Sequence, residues 1–301
     1  MANINNLTIL DMRNPTKIFD SFSYPAGELQ VRLTKNAMNL LDNAESVGVI
    51  NNIKYPASII ETILFLSAVD GKISPEIPRF LILPYLPYSR ADRRFVDGDC
   101  SGKEAFLKMI PSNWKIVTFD IHSDKNSGEN VINITPENVL KKIFKKYSFE
   151  NVVFPDAGAH SRYAKMFDTI GFFPSIYFCE KKRDVETGKF LGFTVPEIYE
   201  KNKRTIIIDD LCDGGGTFLG IAKELNVDKS NLFLYVSHGI FSKGLSELSE
   251  FFTTIITTNS IEYNEEYPNW FQHDFTINLE NINVDLEIIN IDREYREISY
   301  V

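Results

Sequence analysis

Residues 206–217 read IIIDDLCDGGGT, and this stretch limits the fold more than any other in the chain. Three consecutive β-branched residues, Ile206, Ile207 and Ile208, leave no polar face, which is the pattern of a parallel strand covered on both sides. The strand is read as ending at Asp209. Two adjacent carboxylates, Asp209 and Asp210, and a third, Asp213, then precede Gly214, Gly215 and Gly216. Side chains at those glycine positions would obstruct a backbone whose N–H groups turn inward toward an anion, so the turn reads as a phosphate cradle. Thr217 opens a helix, TFLGIAKEL, and an anion in the turn sits at the positive end of its dipole. The carboxylates are left for sugar hydroxyls or a divalent cation.

Elsewhere, short apolar runs alternate with helix-period segments, the mark of an α/β protein with parallel strands. Strands are expected at Leu7–Leu10, Leu29–Leu33, Val47–Ile50, Phe80–Leu83, Ile116–Phe119, Val152–Phe154, Ile176–Phe178, Ile206–Ile208, Leu232–Val236 and Thr254–Ile256. Helices are expected near Ala57–Ala68, Gly102–Met109, Pro136–Lys146, Ser161–Ile170 and Thr217–Leu225. A length of 301 residues suggests two domains, and each half runs strand, helix, strand with a carboxylate-bearing loop after several strands. Residues Lys181 to Arg204 carry charge, Gly188, Gly192 and Pro196 without a periodic core, and read as a mobile loop.

Composition removes several function classes. A net charge of −9 argues against broad affinity for nucleic acid or an anionic membrane, because binding to polyanions is driven by clustered Lys and Arg. Any bound phosphate has to be held locally. The three cysteines, Cys100, Cys179 and Cys212, are odd in number and lack metal-ligand spacing, the pattern of a reduced intracellular protein. No long apolar span and no basic-then-apolar N-terminus is present, so neither export nor membrane insertion is expected.

Four further loops follow strands, where ligands gather in open α/β sheets. PYLPYSRADRR brings Arg90, Arg93 and Arg94, forked donors suited to polyphosphate oxygens or, equally, to a solvated basic surface. DIHSD sets His122 between Asp120 and Asp124: a metal or phosphate ligand, against the commoner structural hydrogen-bonder. PDAGAHSRYA puts Asp156 before a glycine turn and a helix, where simple capping is the plain alternative. CEKKRD has a basic triplet that reads as an exposed loop as readily as a site. Taken with the glycine turn, these loops describe a polyphosphate site with a divalent metal, since phosphoryl transfer needs mostly positioning and charge neutralisation.

The ordered set resembles the ribose-phosphate pyrophosphokinases, also called phosphoribosyl-pyrophosphate synthetases. IIIDDLCDGGGT is similar to their phosphoribosyl-binding loop, YSRADRR to the ATP loop and DIHSD to the metal-binding histidine loop. PDAGAHSRYA is similar to the second metal loop and EKKRD to the base of the catalytic flexible loop, and SHGIFSKG and TTNSI follow in the family's order. The resemblance implies an α/β fold of two tandem phosphoribosyltransferase-type (type I) domains with central, mostly parallel sheets. It places an ATP-binding domain at residues 1–145, joined by the C-terminal tail from about 283 to 301, and a ribose-phosphate-binding domain at 146–282, with the active site between them. The implied reaction transfers the β,γ-diphosphate of ATP to the anomeric hydroxyl of a ribose phosphate and releases AMP. The implied assembly is a homodimer or higher homo-oligomer in the cytoplasm of a bacterium or phage-infected cell.

Carried over by motif position, the resemblance gives His122 and Asp156 the Mg2+, and Tyr24, Glu28, Arg90, Asp92, Arg93 and His122 the ATP. Lys181, Arg183 and His122 become the catalytic residues, the first two closing over the reacting β-phosphorus. Asp209, Asp210 and Asp213 take the ribose hydroxyls and anomeric side, and Gly214, Gly215, Gly216 and Thr217 the 5-phosphate.

The departures bear on specificity. Ala26 in YPAGELQV stands where the family usually has an acidic residue, and Ala91 where it usually has Gln; both family positions contact adenine. Gly214 replaces the Thr of the usual DTGGT, which removes a phosphate donor and opens space beside the 5-phosphate. That opening is compatible with a larger acceptor. A branch of the family associated with phage-encoded NAD restoration uses ADP-ribose, which is the acceptor expected here, with ribose 5-phosphate as the standard alternative. Glu129 and Asn130 replace an aromatic ending in a stretch near the family's subunit contacts and regulatory phosphate site, so hexamer and allostery are not carried over. A phosphoribosyltransferase shares the ribose loop but has no need of YSRADRR, His122 or Lys181. A non-catalytic subunit of the same fold is expected to have lost the charged groups that remain at His122, Asp156, Lys181 and Arg183.

Overall fold

The computed structural model describes residues 7–14, 17–53, 55–94, 96–125, 127–183, 190–195, 202–261 and 285–291. These fall into two compact units, one running to Ile134 and including Ile291, the other from Thr135 to Asn290. No described helix is long and apolar enough to cross a membrane.

The first unit runs β1 (Leu7–Asp11), a hairpin of β2 (Phe19–Ser23) and β3 (Leu29–Leu33), α1 (Lys35–Leu41), β4 (Ser46–Ile50), α2 (Pro56–Asp70), β5 (Arg79–Leu83), α3 (Gly102–Met109), β6 (Lys115–Phe119) and β7 (Val131–Ile134). Five of these strands form a parallel sheet in the order β1-β4-β5-β6-β7. Every residue of β4 and β5 is buried, as the apolar runs Val47–Ile50 and Phe80–Leu83 between two layers demand, and Arg79 at the start of β5 is paired with Asp70. Helix α2 starts at Pro56, whose fixed φ suits a first turn, and buries Phe65, Leu66 and Val69 in the same core as Leu81 and Leu83. Each such side chain contributes about 1.5–3 kcal/mol on burial.

The second unit runs α4 (Glu137–Tyr147), β8 (Asn151–Phe154), α5 (Ala157–Tyr163), α6 (Met166–Ile170), β9 (Ser175–Phe178), β10 (Glu180–Arg183), β11 (Phe190–Thr194), β12 (Thr205–Cys212), α7 (Gly216–Leu225), β13 (Leu232–Gly239), α8 (Ser246–Ser249), β14 (Thr254–Thr258) and β15 (Asp285–Ile289). Its sheet has six strands, all parallel, in the order β15-β14-β13-β12-β8-β9. Ile206, Ile207 and Ile208 lie fully buried near its centre, packed between layers that include Phe218 and Ile221 of α7. The two parallel-sheet units are the α/β architecture expected from the sequence.

Several boundaries differ from expectation. The division between units falls after Ile134 and not after residue 145, because α4 packs with α6 and so goes with the second sheet. The C-terminal segment divides: β15 is the edge strand of the second sheet, and only Ile291 among its described residues joins the first unit. β12 continues past Asp209 to Cys212, since Leu211 and Cys212 pair with His238 and Gly239 of β13. The helix expected at Ser161–Ile170 is two, because Asp156 caps α5 and the turn breaks at Ala164 and Lys165.

Lys181–Arg204, read as a mobile loop, contains an antiparallel ribbon of β10 and β11. Among the described side chains Phe193 anchors it: 4% exposed, it packs so closely on α7 that a Cβ at Gly220 would come within 2.7 Å of its ring. A short two-stranded ribbon leaves no periodic trace in a charged sequence. β2 escaped notice for a related reason, since only Phe19 of its five residues is buried.

Candidate active site

The glycine turn lies where β12 gives way to α7. Gly215 has φ +77°, which a residue with a Cβ adopts only under strain, and a Cβ there would press Leu248 at 3.3 Å. Gly216 begins α7 with no heavy atom within 4 Å of its missing Cβ, and the first turn of a helix leaves N–H groups without intrahelical acceptors. The segment after β13 is stitched along the turn: Ile240 and Phe241 N–H donate to the Cys212 carbonyl at 2.8 and 3.1 Å, and Ser242 N–H to that of Asp213 at 3.0 Å. Gly239 is required for this, because a Cβ would lie 2.3 Å from the Phe241 ring. The stem of Lys243 then runs beside Gly214, with Cδ and Cε each 3.4 Å from where a Cβ would stand. The edge that Gly214 leaves without a side chain is therefore lined by the stem of an exposed lysine.

Before the turn, Asp209 and Asp210 break the strand's alternation. Neighbouring strand residues ordinarily face opposite sides. Here the Asp210 N–H donates to Asp209 Oδ1 at 2.9 Å, and one guanidinium nitrogen, Nη2 of Arg162, reaches both carboxylates at 2.9 and 2.6 Å. Arg162 stands on α5, behind the adjacent strand β8. Burial, and then the charge and hydrogen bond of Asp210, push the Asp209 carboxyl well above the usual carboxylate range despite Arg162.

Asp156 does both things its position allows. Its Oδ1 accepts from Ala159 N–H at 3.0 Å as the cap of α5, and its Oδ2 pairs with Lys181 Nζ of β10 at 3.2 Å. Burial works to raise this carboxyl, but the Ala159 N–H and Lys181 outweigh it and hold it below its ordinary value. Both Lys181 and Asp156 remain open to solvent. Arg183 lies in β10. Burial pushes the thiols of Cys179 and Cys212 up to about 12, so neither is a nucleophile at neutral pH.

In the first unit the YSRADRR and DIHSD loops follow the neighbouring strands β5 and β6. Arg90 and Arg93 are exposed and His122 half-buried, whereas Asp92 is buried, with its carboxylate held by Arg93 Nε at 2.8 Å and by Ser123. The two loops are tied by Lys103 of α3. Fully buried, it donates to the carbonyls of Ser123, at 2.8 Å, and Lys125, and to the Ser127 hydroxyl at 3.2 Å. Burial lowers the Lys103 pKa, while Asp92 and Asp124 oppose that fall. Tyr24 and Glu28 flank the exposed tip of the β2–β3 hairpin, closed by Tyr24 N–H to the Glu28 carbonyl at 2.8 Å. The structure thus gathers Arg90, Asp92, Arg93 and His122 on one pair of loops, and Asp156, Lys181, Asp209 and Asp210 with the glycine turn on another set. Arg162, Lys103 and Lys243 were assigned no role from the sequence.

No protein-family model matches the chain. The ribose-phosphate pyrophosphokinase of Thermoplasma acidophilum is 30% identical to it over 226 residues, covering 72% of this chain and 74% of that protein. The chain belongs to the ribose-phosphate pyrophosphokinase family. The family member from Sulfurisphaera tokodaii is 27% identical over 256 residues, covering 79% of this chain and 82% of its own. The fold of this pyrophosphokinase-family chain also matches that of the phosphoribosylpyrophosphate synthetase from Mycobacterium smegmatis, with a TM-score of 0.66 across 97% of this chain and 96% of that one at 20% identity. The chain is therefore an enzyme of the transferase class.

Its donor set suits a hard divalent cation in one respect. Among the described residues no three His, Cys, Asp or Glu side chains form a metal cluster. Asp156, however, is an exposed oxygen donor kept anionic at neutral pH, which is what magnesium accepts when most of its shell is water and phosphate.

Proposed function

We propose that this pyrophosphokinase-family enzyme transfers the β,γ-diphosphate of ATP to the anomeric hydroxyl of a 5-phosphorylated ribose, releasing AMP. The observation that carries the reading is in the second unit, where a glycine turn at a helix N-terminus, a buried carboxylate pair and a cation-armed ribbon occupy neighbouring strand ends. The turn takes the acceptor's 5-phosphate through the N–H groups of Gly215, Gly216 and Thr217, with Gly214 beside them. Asp209 and Asp210 accept from the ribose hydroxyls, and Asp213 lies on the anomeric side. Lys181, with Arg183, stabilises charge on the transferring diphosphate. A residue acting this way contributes mainly in the transition state.

ATP is assigned to the first unit. Arg90 and Arg93 meet the polyphosphate, His122 reaches its oxygens or the metal, and Tyr24 and Glu28 lie toward the base. Asp92 acts through Arg93 and Ser123, since its carboxylate is already engaged by them. Asp156 would hold magnesium in the second unit, and the ion would supply charge neutralisation at the phosphates. ADP-ribose is the proposed acceptor and ribose 5-phosphate its competitor. Purified enzyme with Mg-ATP is given each in turn and assayed for AMP and, by mass spectrometry, for an acceptor heavier by one diphosphate. AMP with ADP-ribose supports the full reading. AMP with ribose 5-phosphate alone removes ADP-ribose, and AMP with neither removes the reaction.

A further inference from the structure

We infer that Lys243 is an acceptor-binding residue, whose ammonium meets the phosphate on the ribose 5-carbon. This rests on the proposed acceptor site, and three observations lead to it. The first is position. Lys243 Cγ, Cδ and Cε lie 3.6, 3.4 and 3.4 Å from the point where a Cβ of Gly214 would stand, so the stem crosses the rim of the turn and Nζ is one bond further on. The second is rigidity. The segment carrying Lys243 is tied to the turn by the three backbone hydrogen bonds from Ile240, Phe241 and Ser242, and its path needs left-handed φ values of +48° at Phe241 and +74° at Gly244. A non-glycine residue such as Phe241 keeps that conformation only where its surroundings impose it, so the backbone two residues before Lys243 is held in place. The third is charge. Three carboxylates, Asp209, Asp210 and Asp213, stand within one short stretch before the turn, and Arg162 offsets two of them. A phosphate dianion placed there needs a further cation. Lys243 is exposed and, among the described residues, takes part in no ion pair or side-chain hydrogen bond.

The exchange is chemically coherent. Gly214 has no side chain to donate to phosphate, and the lysine stem lies along the vacant edge, at the distance an added Cβ would touch. A neutral contact made from the turn itself is replaced by a charged donor reaching in from the next loop. Charge-assisted hydrogen bonds are roughly twice as strong as neutral ones.

The test compares wild type with Lys243→Met, which keeps the stem over Gly214 and removes the charge, and with Lys243→Arg. Initial rates are measured at saturating Mg-ATP with ribose 5-phosphate and, separately, with ADP-ribose. Lys243→Met is expected to raise the acceptor KM by about ten- to a hundredfold, leaving the ATP KM and kcat within about twofold, while Lys243→Arg restores most of the loss. The wild-type acceptor KM should also climb more steeply with salt than that of the Met variant. An unchanged acceptor KM in a Met variant with wild-type melting behaviour overturns the inference. A direct titration of both proteins with ribose 5-phosphate, followed by NMR, keeps the two readings apart. If wild type forms no AMP yet binds ribose 5-phosphate better than the Met variant does, Lys243 stands and the reaction falls; equal binding removes Lys243.

Discussion

Lys103 in the first unit and Arg162 in the second perform one mechanical task with different chemistry. Each is carried on the helix behind one strand-end loop and reaches the end of the next strand over. Lys103 donates to two carbonyls and a hydroxyl, so the loop bearing His122 is held through its backbone and serine, and the imidazole takes no part in that clamp. Arg162 instead grips the two carboxylates assigned to the acceptor. A loop clamped by its carbonyls keeps its shape whatever its side chains bind. A loop clamped by carboxylates is coupled to their ligand, because a ribose or metal that takes those oxygens competes with the clamp. The clamp of the first unit therefore leaves the side chains assigned to ATP free of it, whereas that of the second shares its partners with the acceptor assignment.

Removing each clamp sharpens this contrast, and Arg162 should give the larger effect. Arg162→Leu leaves two adjacent, largely buried carboxylates without their cation, and breaking a buried ion pair costs about 3–5 kcal/mol. The urea midpoint should fall accordingly, with the deficit widening as pH rises and the carboxylates ionise. Arg162→Lys, which keeps charge but not the fork, should lie between. A Leu variant that unfolds at the wild-type urea concentration would show that Arg162 is not a clamp at all.

Lys181 belongs to neither clamp, and it breaks the comparison from the other side. Its pairing with Asp156 is solvent-exposed, and exposed pairs contribute at most about 1 kcal/mol. Lys181→Ala should leave the melting temperature nearly unchanged and lower kcat by about 10²–10³-fold, as for other single donors to a developing charge. Single-turnover AMP release is the measurement, and wild-type turnover in the variant removes its catalytic role.

Much of this arrangement was legible in the sequence, because the strand runs have no polar face and so declare burial on both sides. Val47–Ile50, Phe80–Leu83 and Ile206–Ile208 were found for that reason, and the acidic and glycine-rich loops stood out against them. The clamps were not legible. A single Lys103 in GKEAFLKM or Arg162 in AHSRYA looks like the solvated face of a helix, and only the fold shows that the first is fully buried and the second reaches across to β12. Lys243 was hidden similarly, since its stem finds Gly214 through backbone bonds between loops that are distant in the chain.

Lys103→Met is expected to have a smaller effect than Arg162→Leu. Two carbonyls lose a donor, but Ser123 is half-buried and Lys125 exposed, so water replaces it and each lost bond costs roughly 0.5–1.5 kcal/mol. The loop bearing His122 should loosen, so the ATP KM rises while the acceptor KM stays at its wild-type value. A rise in both would mean that the clamp serves general stability and not the loop.

The smallest effect separates two carboxyls of the second unit. Asp209 is raised well above its ordinary value, and Asp156 is lowered. A raised carboxyl holds its proton more tightly in the folded state, so its contribution is fully present below the unfolded pKa and is lost as pH climbs toward the folded value. A lowered carboxyl behaves oppositely: its contribution is present above the unfolded pKa and lost as pH falls through the folded one. Asp209→Asn should therefore match wild type in acid and become the more stable protein as pH rises toward neutral, by a few degrees in Tm, while losing affinity for the acceptor. Asp156→Asn should match wild type in acid and be the less stable protein near neutral pH. Thermal melts of the three proteins from pH 3 to 8 check both signs at once. Opposite slopes identify Asp209 as a group held against its own preference for the sake of a ligand; parallel slopes would leave it an ordinary member of the fold.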